Sequence, residues 1–229
     1  MNKANYILLA ELFRYPKEGY KEKVNEVMSY LQAHYPEAAN ELTRFHDFIN
    51  QKTLAEIEEI YGITFHIQAI CYLDVGYILF GEDYKRGEFL VNMKREQAKI
   101  NNDCGEELPD NIANMLTLLS KSNEEEFVKE LSVRVLIPAV KKMLEEFRAA
   151  RLELKTKVIK KKQKAIILED KKEGNVFQHP ISALLKVLEK DFENVHYPQY
   201  DVQPTLGNFM TGCGTCSETT SNNKTIKTQ

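Results

Sequence analysis

Tyr61 to Glu96 reads YGITFHIQAICYLDVGYILFGEDYKRGEFLVNMKRE, and its interpretation decides the fold. Between Ile67 and Phe80 only Gln68 and Asp74 are strongly polar. A helix over these residues would have almost no wet face, so the pattern predicts a buried helix running through the middle of the domain. Gly81 supplies the backbone freedom to end it, and Glu82 and Asp83 suit the positive N-terminal end of a following helix. That second helix carries Phe89, Leu90 and Met93 at helical spacing, with Lys85, Arg86, Lys94 and Arg95 for its outer side. The expected centre of the molecule is therefore a helix-turn-helix corner.

Working outward, residues 3–14 place Ile7, Leu8, Leu12 and Phe13 on a short helix that Tyr15-Pro16 ends, because a residue before proline avoids the helical region. Residues 19–33 and 37–50 repeat the pattern, and their short connection implies antiparallel neighbours. Thr53 with Glu56 forms a capping-box pattern for the helix that leads into Tyr61. NNDCGEELPDN (101–111) is rich in turn formers and separates the corner from a helix over 111–119. Ser122 with Glu125 is a candidate cap for the next helix, which Pro138 kinks or restarts before it continues over 139–147. Residues 180–195 regain helical spacing behind Pro180.

Glycine (10) and proline (7) are few and alternating apolar runs are scarce, so the chain is expected to be all-α, a bundle of about nine to ten helices. With 43% hydrophobic and 28% charged residues, the composition fits a globular protein rather than a disordered one. The expected organisation is one domain over 1–195, including a lysine-rich extension at 151–178, followed by a mostly disordered tail at 196–229. A net charge of -3 gives no overall basic field, so nucleic acid is not an expected partner. The apolar stretch after Met1 is too short for a signal peptide or a membrane span, which points to a cytoplasmic protein without direct membrane insertion.

Few residues suggest chemistry. Cys213 and Cys216 have CxxC spacing, but a zinc site needs four donors and a redox motif needs a βαβ context, so neither metal nor cofactor is expected. His46, His66 and Tyr61 lack a partnered nucleophile motif and are read as core or surface groups. No glycine-rich phosphate loop or HExxH pattern occurs, and the lysine run lacks the interleaved aromatics of a strand-binding groove, so an enzyme is not expected. Asp74 stands out, because a carboxylate in so apolar a stretch either pairs with a basic neighbour or faces a groove.

The segments LLAELFRYP (8–16), Tyr61 to Phe65, YILFGEDYKRGEFLVNMK (77–94) and GEELPDNIANMLTLL (105–119), in that order and spacing, resemble the TorD/DmsD/NarJ family of redox-enzyme maturation chaperones, most closely its nitrate reductase branch. Tyr77, Leu79, Phe80, Gly81, Glu82, Asp83, Arg86 and Gly87 are similar to that branch's helix end and charged turn. Leu108, Pro109 and Asp110 are similar to its Leu-Pro-Asp-His loop. Asn111 stands where the family usually has His, and His66 where it commonly has Asp.

The resemblance implies an all-helical cytoplasmic chaperone, a monomer or homodimer. Such a chaperone binds the N-terminal peptide of the apo catalytic subunit of a molybdenum oxidoreductase, most readily a respiratory nitrate reductase, and holds it for molybdenum cofactor insertion. On that basis Tyr77, Phe80, Leu108 and Pro109 are candidates for the apolar part of a peptide site, and Asp74, Glu82, Asp83, Arg86 and Asp110 for its charges. Two alternatives stay open: a chaperone of the same fold serving a dimethyl sulfoxide, selenate, chlorate or hydrocarbon-oxidising enzyme, and a helical metal or redox protein working through Cys213 and Cys216.

Overall fold

The computed structural model describes residues 5–67, 69–160 and 175–197, with the backbone alone for 151–160. Among these residues every regular element is helical. The chain runs α1 (Asn5–Ala10) into a 3-10 turn (Glu11–Phe13), α2 (Tyr20–His34), α3 (Pro36–Gln51), α4 (Leu54–Phe65), α5 (Val75–Phe80), α6 (Tyr84–Lys99) and α7 (Ile112–Lys121). Then α8 (Glu125–Glu130) passes through a π-helical turn (Leu131–Leu136) into α9 (Ile137–Lys160). A 3-10 turn (Asn175–Phe177) leads into α10 (Gln178–Asp191). This is the all-α bundle that the composition predicts. No described helix is long and apolar enough to cross a membrane.

Local chemistry accounts for most of the boundaries. Thr53 forms the predicted capping box: its hydroxyl oxygen accepts from the Glu56 amide at 3.3 Å while Glu56 accepts from the Thr53 amide at 2.8 Å. Pro36 opens α3 at a position where the missing amide costs nothing. Gly81, at φ +61 and ψ -132, ends α5 as expected, and Asp83 caps α6 by accepting from the Lys85 amide at 2.9 Å. Pro138 has no amide to donate, and the helical register readjusts through the π turn just before it.

The buried central helix predicted over Ile67–Phe80 does not form. The α4 helix ends at Phe65, Ile67 is 71% exposed, and only Val75–Phe80 is helical. Residues 71–74 form bends and a single bridge before α5 begins at Val75, with Cys71, Leu73 and Val75 buried, Tyr72 exposed and Asp74 half-buried. Their backbone is satisfied elsewhere: the Cys71 amide donates to the Thr64 carbonyl, Val75 to the Asp110 carbonyl at 3.0 Å, and Ile112 to the Leu73 carbonyl at 2.9 Å. Asp74 and Asn111 thus form an isolated antiparallel bridge. Pairing with the 108–112 loop replaces the helical hydrogen bonds, and alternate burial replaces the all-round burial expected of a central helix.

Three smaller expectations also change. Glu124, not Ser122, is the N-cap of α8, and Ser122 Oγ instead accepts from the Glu124 amide at 3.3 Å, so the Ser122–Glu125 capping box is not made. The α9 backbone continues to Lys160, well past the expected end at 147 and into the lysine-rich segment. Tyr197, assigned to the disordered tail, is docked: its hydroxyl donates to Glu126 at 2.7 Å and its ring lies 5.1 Å from the Arg134 guanidinium. The rest of the tail, with Cys213 and Cys216, and the lysine-rich segment from 161 to 174 lie outside the described residues.

One hydrophobic core joins these helices. The α10 helix packs chiefly on α3 and α9, and α1 on α7. The carboxylate of Asp191, at the end of α10, accepts from the hydroxyls of Tyr6 and Tyr35, each at 2.7 Å, tying α10 to α1 and to the α2–α3 junction. Burial, followed by the Asp191 charge, pushes the Tyr6 phenol pKa far upward, so the phenol stays a donor.

Candidate functional site

The corner around α5 is held from a distance. Asp74 is the N-cap of α5 yet makes no side-chain cap. The cap comes from Asp110, whose Oδ2 accepts from the Gly76 amide at 2.9 Å, thirty-four residues earlier in the chain. This leaves the Asp74 carboxylate for Arg86, 3.5 Å away on α6, so Asp74 is paired. The same guanidinium lies 5.1 Å over the Tyr77 ring, which packs edge-on against Tyr72 at 4.5 Å. Asp74, Tyr77, Arg86 and Asp110 are therefore one contiguous cluster.

The other selected residues sit around it. Phe80 is half-buried against Phe89, with ring centroids 5.7 Å apart, and Leu108 is 40% exposed. Pro109 is half-buried and its carbonyl accepts from Gln97 at 2.9 Å. Glu82 and Asp83 are exposed at the far end of α5, with Asp83 engaged as the α6 cap. Asp110 is fully buried, so it offers no carboxylate to an incoming peptide and acts instead through the backbone it holds.

Burial first and Asp74 second raise the Asp110 carboxyl pKa to about 6, while the Gly76 amide and Arg86 pull it down. Its unfolded value is about 4. Between these two values the folded chain keeps a proton that the unfolded chain has lost, so stability falls as pH rises through that window and is level above it. The loss is on the order of 2 kcal/mol, and Asp74, also raised chiefly by burial, acts in the same direction. Asp110→Asn keeps an oxygen for the Gly76 amide but cannot ionise. Urea unfolding at about pH 4.5 and about pH 7 should show a smaller difference in this variant than in the parent, whereas an equal difference would contradict the assignment.

Beside this corner opens a cleft of about 760 Å³. One wall is the Glu11–Tyr15 turn with the Lys17–Tyr20 loop, and the other is the Cys104–Glu107 turn with the start of α7, and His66 also lines the cleft. None of the residues selected from the sequence lines it. Both walls are firmly built. Arg14 reaches Glu11 at 3.1 Å and the Thr117 hydroxyl at 3.2 Å, and the Tyr61 hydroxyl donates to the Phe13 carbonyl at 2.8 Å.

On the opposite wall two buried amides pin the loop between α6 and α7. Asn114 donates to the carbonyls of Cys104 and Leu108, and Gln97 to those of Pro109 and Asn114. Asn111 caps α7 through the Ala113 amide at 3.0 Å and holds Glu107 at 3.1 Å. Glu106 and Glu107 are exposed on this rim, and Arg14, Lys17 and Lys23 line the same cleft. The Glu107 charge also raises the Asp74 pKa, so the rim and the corner share one electrostatic field.

The cleft can bind by charge, amide contacts and partly apolar walls. Burial, then Asp103, raises the pKa of the Cys104 thiol at its edge, which keeps it in the less nucleophilic form. Among the described residues no group of three or more His, Cys, Asp or Glu is placed to hold a metal ion. Comparison of the chain with protein-family models and with curated proteins returns no match.

Proposed function

We propose that this protein is an assembly chaperone of the TorD/DmsD/NarJ type that holds the N-terminal segment of an apo molybdoenzyme catalytic subunit, most readily a respiratory nitrate reductase, without making or breaking a bond. One observation carries the reading. The segments that resemble the family are far apart in sequence, yet LLAELFRYP and GEELPDNIAN both line one cleft, together with His66, the residue just past Tyr61–Phe65. The remaining segment, around YILFGEDYKRGEF, is locked to the same loop through Asp110 and the Asp74–Asn111 bridge.

A peptide laid between these walls would place basic side chains at the Glu106–Glu107 rim and apolar ones over the exposed ring of Tyr15. Walls fixed by internal hydrogen bonds reduce the ordering cost of binding. A micromolar complex needs only about 8 kcal/mol, which a few anchors supply while allowing release.

Calorimetric titration with synthetic N-terminal peptides of candidate catalytic subunits tests the reading. One-site binding in about the micromolar range is expected, weakening by roughly tenfold between about 0.05 and 0.5 M salt. Absence of binding across peptides from the several molybdoenzyme types would overturn it.

A further inference from the structure

The α6 helix buries Phe89, Asn92, Met93, Glu96 and Gln97 and turns the opposite side to solvent. On that outer side Tyr84 is 90% exposed and Val91 61% exposed, two turns apart on the same face. Gly87, Lys94 and Ala98 are exposed in line with them, and Glu88 is half-exposed beside them. At 3.6 residues per turn these positions fall in one stripe along the helix.

The stripe is self-complementary in one orientation. If two copies pair antiparallel about Val91, position 91-k meets 91+k of the other copy. Glu88 then meets Lys94 twice, Tyr84 lies on Ala98 twice, and Gly87 faces Arg95, its missing side chain leaving room for the arginine stem. The parallel arrangement sets Glu88 on Glu88 and Lys94 on Lys94, which is repulsive. A client peptide offers no such two-fold match of charge and size.

We propose that the outer face of α6 is a self-association surface on which two copies of this chain pair antiparallel about Val91. The interface is isologous, as a closed two-fold dimer requires. A helix of 16 residues is about 24 Å long, so the contact falls in the small, reversible class of interfaces. The inference stands apart from the client-binding reading, because the face lies opposite the side of α6 whose Gln97 holds the 109–114 loop.

Sedimentation velocity of the full chain over a concentration series up to about 1 mM provides the test, since weak interfaces associate in that range. The parent should shift from monomer towards dimer. Glu88→Lys and Lys94→Glu each replace two attractions by two repulsions and should weaken association about tenfold or more. An equimolar mixture of the two variants should recover it, because one copy then presents only positive charge and the other only negative. A parent that stays monomeric, association that survives both single reversals, or a mixture that does not recover would each overturn the proposal. Circular dichroism unchanged from the parent is expected for these exposed positions.

Discussion

The Gly76→Ala protein is expected to be less stable than the parent by about 3 kcal/mol, the upper end of what overpacking a tight site costs. A Cβ at this position would lie 2.7 Å from Asp110 Oδ2 and 2.8 Å from Phe89 Cδ1. Neither neighbour has an easy way out. Asp110 is fixed by the Gly76 amide that it accepts from and by its own carbonyl, which accepts from Val75. Phe89 is fully buried in the core face of α6.

Relief requires α5 to move away from the 108–112 loop, breaking the Asp110 cap and loosening the Asp74–Asn111 bridge. Urea denaturation should show the lower midpoint with little change in slope. Asp110→Ala removes the clashing carboxylate, so the double variant should be more stable than the sum of the two single losses implies. Strict additivity would contradict the close approach.

Phe177→Ala should cost about 4 kcal/mol, in the range for emptying a large aromatic site in a packed core. Phe177 is fully buried, and its ring meets Phe45 at 5.0 Å, Phe65 at 5.0 Å and Tyr61 at 5.6 Å. These tilted and edge-on contacts add to the area that it removes from water. It is also the residue by which the segment entering α10 is seated on α3 and α4. Since Tyr61 supports the cleft wall through the Phe13 carbonyl, the variant should also bind peptide more weakly than its residual folded fraction predicts. A loss below about 1 kcal/mol would mean that the site collapses around the missing ring and that the aromatic cluster is not a unit.

Helices whose apolar spacing is regular, α2, α3, α6 and α10, were legible from the sequence, as were the Thr53 capping box and the Gly81 stop. Residues 66–74 were not. An unbroken apolar run fits a buried helix and a buried non-helical segment equally, and here the choice is made by Asp110 and Ile112, which lie nearly forty residues away and supply the hydrogen-bond partners. The alternation of Cys71, Leu73 and Val75 against Tyr72 and Asp74 was the one local sign.

At the site, Asp74 stood out because a charge in an apolar stretch either pairs with a basic neighbour or faces a groove, and the structure pairs it with Arg86. Glu106, Glu107, Arg14 and Asn111 were missed as site residues, although they lie in or next to the segments that carry the resemblance. Polar residues in a turn carry no periodic signal, and their convergence depends on Gln97 and Asn114 folding the loop back. Asp110 was read as a charge offered to a peptide, whereas its carboxylate is buried on the Gly76 amide, because a buried carboxylate serving a backbone amide on another element has no sequence pattern of its own.

The claim on which the rest depends is that the rim of the cleft receives the basic end of a client's leading segment. Calorimetric titration of a matching N-terminal peptide into the parent and into a Glu106→Gln, Glu107→Gln double variant tests it most directly. The variant keeps an oxygen for Asn111 but loses both charges. Affinity should fall by about tenfold, and the salt dependence seen with the parent should largely disappear. Equal affinity and equal salt dependence in the two proteins would contradict the account.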